Sequence, residues 1–124
     1  MSKLVDALIN VKTHLSNKKR WERNWEDNKV TGFSSGSLLN TLGGLYNSKD
    51  NSLYMAAHDC VAQAIKQLFG PLKMTKTINF IVLDNPVPVE YFEIIEAFHE
   101  KKNHEELMQV LDVAIRYANL YVFS

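Results

Sequence analysis

Residues 52–71 read SLYMAAHDCVAQAIKQLFGP, and they carry the clearest helical signal in the chain. Leu53, Ala57, Cys60, Val61, Ala64 and Leu68 recur at the three- and four-residue spacing that places side chains on one face of an α-helix. Both ends are marked. The polar run at 47–52 supplies N-cap residues, and Gly70-Pro71 permits a left-handed C-cap and then forbids continuation. A helix over 53–69 with an apolar face of this kind needs other elements packed against it.

Working back toward the N-terminus, Leu38, Leu39, Leu42 and Leu45 follow a helical spacing. Ser34, Ser35 or Ser37 can cap this second helix. Gly43 and Gly44 keep it short, since a glycine inside a helix costs about 1 kcal/mol relative to alanine. Leu4, Leu8, Val11 and Leu15 form one face of a further helix, with Lys3, Asp6, Asn10, Thr13 and Asn17 opposite. No strong breaker precedes Gly32, so the spacing leaves its end open as far as Trp21.

Toward the C-terminus, Pro88 is a natural first helical residue, because its missing N–H removes no bond there. The helix expected from 88 to 99 gathers Tyr91, Phe92, Ile94, Ile95 and Phe98 on one side, and Glu90, Glu93, Glu96 and Glu100 form an acidic stripe on the other. Asn103 and Glu106 have the spacing of a capping box. They open a final helix with Leu107, Val110, Leu111, Ala114 and Ala118 inward and Glu105, Gln109, Asp112, Arg116 and Asn119 outward. The β-branched run at 78–83 reads either as a strand, whose only partner is 120–123, or as a buried strap or helical turn. The expectation is a mainly α, single domain over 1–124 with about five helices and, on the first of those readings, a small two-stranded element.

Composition narrows the function. The chain has 124 residues, 46% of them apolar and 23% charged, with one cysteine. That is ordinary globular usage, with no internal disulfide. Fourteen basic and fourteen acidic side chains cancel, so the bulk attraction on which most nucleic-acid binders rely is absent. The charge is nevertheless split, since the basic residues concentrate before residue 77 and the acidic ones after it. No apolar run reaches the roughly 20 residues of a membrane helix, and no secretion signal opens the sequence. A cytoplasmic protein without membrane contact is expected.

Few residues suggest chemistry. His58 and Cys60 are neighbours, but two positions on a helix mean about 200° of rotation, which separates imidazole from thiol; Cys60 reads as a small buried hydrophobe. His14, His58, His99 and His104 have no metal-ligand spacing, so neither a metal nor a cofactor is expected. Ser34-Ser35-Gly36-Ser37 lacks the Gly-Lys-Ser/Thr core of a phosphate loop and reads as a cap. Asp84-Asn85 before proline has turn composition. Lys18, Lys19, Arg20 and Arg23 interleave with Trp21 and Trp25, the composition of a nucleic-acid contact. Glu22, Glu26 and Asp27 interrupt that segment.

The pieces also resemble a family of small uncharacterised bacterial and phage proteins. The likeness rests on Trp21 in a loop, the Ser-Leu-Leu-x-x-Leu segment at 37–42, the long Ala-rich helix at 53–68, the apolar-Asp-Asn turn at 83–85, and Glu-Glu-Leu-x-x-Val-Leu-Asp-x-Ala-Ile at 105–115. Ser37 stands where a cysteine is associated with that family. The resemblance implies a small helical fold and carriage on a phage or mobile element, with no assigned reaction.

The sequence thus favours a small interaction protein that meets a protein partner through Glu90, Glu93, Glu96 and Glu100, with homo-oligomerisation left open. The alternatives are a small enzyme with a pocket near His58 or Asp84, and a nucleic-acid accessory protein using Lys18, Lys19, Arg20 and Arg23.

Overall fold

The computed structural model describes residues 3–17, 38–47, 49–70, 87, 89–101 and 103–120. They form five helices: α1 (Lys3–Leu15), α2 (Leu38–Gly43), α3 (Ser52–Phe69), α4 (Val89–Lys101) and α5 (His104–Leu120). The mainly helical fold expected from the periodicity is the one observed. Among the described residues there is no strand. The run at 78–83 lies outside them, as does 121–123, and Leu120 closes α5 as a helical residue.

α3 is the hub of the packing, with α1, α2, α4 and α5 all laid against it. Its composition explains why. Ala56, Ala57, Ala62 and Ala64 are all buried, and such small side chains let neighbouring helices approach on several sides at once. Tyr54, His58, Cys60, Val61 and Ile65 complete the buried set. Leu68, expected to face inward, is 39% exposed near the end of the helix. That end is set by Gly70, which takes φ +75° and donates its N–H to the Lys66 carbonyl across 2.9 Å. At the other end the Asp50 carboxylate accepts the Ser52 N–H at 2.9 Å. Hydrogen bonds from the Ser52 side chain and backbone hold the Asp50 carboxyl below its ordinary pKa.

α5 matches its sequence pattern closely: Leu107, Val110, Leu111, Ala114 and Ala118 are the buried residues. Its capping box is reciprocal. Asn103 Oδ1 accepts the Glu106 N–H at 2.9 Å, and the Asn103 N–H donates to Glu106 Oε1 at 3.2 Å, so two donors at the helix start are satisfied. α1 buries Leu4, Leu8, Val11 and Leu15 as expected and stops at Leu15, well short of Trp21. It runs antiparallel to α5, for Lys12 pairs with Asp112 and Leu15 meets His104. The Lys12–Asp112 pair joins the basic first part of the chain to the acidic second part. α2 is short, as its glycines dictate; Leu38 and Leu42 reach the core, and Gly44, Leu45 and Tyr46 unwind the chain through i to i+3 backbone bonds.

The buried side chains of all five helices form one connected core. Each fully buried leucine contributes about 1.5–3 kcal/mol relative to an exposed one, so α1 and α5 are held mainly by their apolar faces.

Candidate functional site

The acidic stripe of α4 divides in two. Glu90 and Glu93 are exposed, whereas Glu96 is 1% exposed. The expectation of a single solvated stripe is corrected at Glu96, and the geometry shows why. Successive steps of three residues fall short of a 3.6-residue turn, so each rotates the side chain by about 60°. By Glu96 the row has drifted well away from Glu90. Ile94, Ile95, Glu96, Ala97 and Phe98 are all buried; five consecutive residues exceed one turn, so this part of α4 has no outer side. The side chain of Glu100 lies outside the described residues.

Beside Glu90 and Glu93, the seam between α3 and α4 carries a polar network that the stripe alone does not reveal. The Tyr91 hydroxyl lies beside the Asp59 carboxylate and the Gln63 side chain, both of which act on its titration. The Gln63 amide also donates to Asp59 Oδ1 at 3.2 Å. The Lys66 ammonium stands 6.0 Å from the centre of the Tyr91 ring, within the range of a cation–π contact. Partial burial, followed by the charge and hydrogen bond of Asp59 and the charge of Glu90, raises the Tyr91 phenol above its ordinary pKa; the Gln63 bond acts in the opposite sense. Tyr91 therefore holds its proton more firmly than a free phenol, and its contact with Lys66 links α4 to α3. Asp59, Gln63 and Lys66 have i, i+4, i+7 spacing on a mostly apolar helix, and that is the sequence signal by which the seam could have been found.

The nucleophile and base considered from sequence lie inside. His58 is fully buried, and its Nδ1–H donates to the Tyr54 carbonyl one turn earlier, at 2.7 Å. The Tyr54 ring meets the imidazole edge to face at 4.5 Å, and Tyr46 meets Tyr54 in the same manner at 5.3 Å. Burial lowers the His58 pKa to about 4, against the opposing effect of the Tyr54 bond, so the ring is neutral at pH 7. Cys60 is fully buried as well, and burial, then the Asp59 charge, pushes its thiol up to about 12. A thiol of that pKa is a poor nucleophile at neutral pH. Neither group presents a surface to a dissolved substrate.

The remaining candidates separate. His104 donates its Nε2–H to the Leu15 carbonyl at 2.7 Å, and His14 is on the surface. The side chain of His99 lies outside the described residues. Among the described residues no three metal-binding side chains converge. Asp84, Lys18, Lys19, Arg20, Arg23, Trp21, Trp25 and the serines at 34, 35 and 37 also lie outside them. An open groove of about 470 Å³ runs between α1 and the turn after α2, with Ala7, Val11, Leu45 and Leu53 at its base and Lys3 and Asp6 on its rim. No described helix is long and apolar enough to cross a membrane.

The chain matches none of the protein-family models, curated proteins or solved structures with which it was compared.

Proposed function

We propose that this protein works by binding a protein partner that presents lysine or arginine side chains to the carboxylates of Glu90 and Glu93. The observation that supports this reading is the division of labour within α4. Ile94, Ile95 and Phe98 anchor the helix in the core, and Tyr91 packs beside Lys66 of α3 with its ring centre 6.0 Å from the ammonium. Glu90 and Glu93 are left exposed on a held surface. The exposed charges of α4 at these two positions are both acidic, with Lys66 of α3 as a neighbouring cation, and an excess of one sign accelerates encounter with a surface of opposite charge. The seclusion of His58 and Cys60 favours a binding role over a catalytic one. Cytoplasmic residence and carriage on a phage or mobile element, implied by composition and by the resemblance, belong to the same proposal.

The test begins with a pull-down from the native host, identified by mass spectrometry, and then compares the wild-type chain with E90Q/E93Q. The expected result is slower association by the variant and a weaker dependence on salt. An unchanged association rate and an unchanged salt dependence would refute the reading.

A further inference from the structure

We draw no further inference here: the strongest candidate, the open groove of about 470 Å³ between α1 and the turn after α2, has an apolar base and an exposed rim bearing both Lys3 and Asp6, and nothing in the structure shows what covers it.

Discussion

His104 donates its Nε2–H to the Leu15 carbonyl across 2.7 Å, so the first residue of α5 closes the last turn of α1. The carbonyls of a final helical turn have no partner within the helix, and here one of them is satisfied by a residue 89 positions away. Replacing His104 with Phe keeps a ring of similar size and removes the donor. The expected loss is about 1 kcal/mol, the net worth of a typical intramolecular hydrogen bond. It should appear as a lower urea midpoint with an unchanged slope. An unaltered midpoint would mean that water replaces the bond without penalty.

His58 makes stability depend on acid. Its pKa is about 4 in the folded protein, against 6.5 for the free side chain, so protons bind the unfolded chain more readily. The contribution is complete above pH 6.5 and is lost as pH falls toward 4. At pH 5 the expected loss is about 2 kcal/mol, at 1.36 kcal/mol per pKa unit. Urea midpoints at pH 7, 6 and 5 measure it. Proton NMR offers a direct check, since the His58 ring resonances should stay constant between pH 8 and 5. A ring that titrates near 6.5 would contradict the burial argument.

Cys60 should resist modification. With the thiol buried and its pKa near 12, a thiol-specific disulfide reagent at pH 8 should label the native protein slowly and the guanidinium-unfolded protein within the mixing time. The native rate then reports opening of the core around α3. Fast labelling of the native protein would place the sulfur at the surface.

The glutamates of α4 should behave as two classes. E90Q/E93Q removes exposed charge only, and each change should alter stability by no more than about 0.5 kcal/mol. Glu96→Ala instead empties a buried position, with an expected loss of about 2–4 kcal/mol. Thermal melts of the two variants under one condition decide the matter. Equal small effects would return Glu96 to the solvated stripe.

How far the sequence could be read depended on how many sides of a helix are covered. α5 has one covered face, and there apolar spacing identified Leu107, Val110, Leu111, Ala114 and Ala118 in advance, while Asn103 and Glu106 marked its start. α3 and the middle of α4 are covered on several sides. There a rule that assigns polar residues to solvent fails, and it failed at Glu96. The clue was available in Ile94-Ile95-Glu96-Ala97-Phe98, where the glutamate is apolar-flanked on both sides, and in the alanines of α3, whose small volume allows close neighbours. Leu68 erred in the opposite direction, because periodicity gives the direction of a side chain but not whether the core extends to the end of its helix. The Tyr91–Asp59 seam joins residues 32 positions apart in sequence, and only the packing of α4 on α3 brings them together.

The antiparallel pairing of α1 with α5 also governs the order in which the protein can be made. Lys12 and Asp112 are 100 residues apart, so the ribosome releases Leu4, Leu8, Val11 and Leu15 long before α5 exists to cover them. At about 5–20 residues per second this interval lasts on the order of 5–20 s. Until then the nascent chain can cover α1 only through its smaller contacts with α2 and α3. Closing a loop of this length also has a higher entropic cost than closing a ten-residue one, by about 2 kcal/mol, a cost that the apolar faces of α1 and α5 offset when they dock. Among the described helices α1 therefore waits longest for the neighbour against which it packs most.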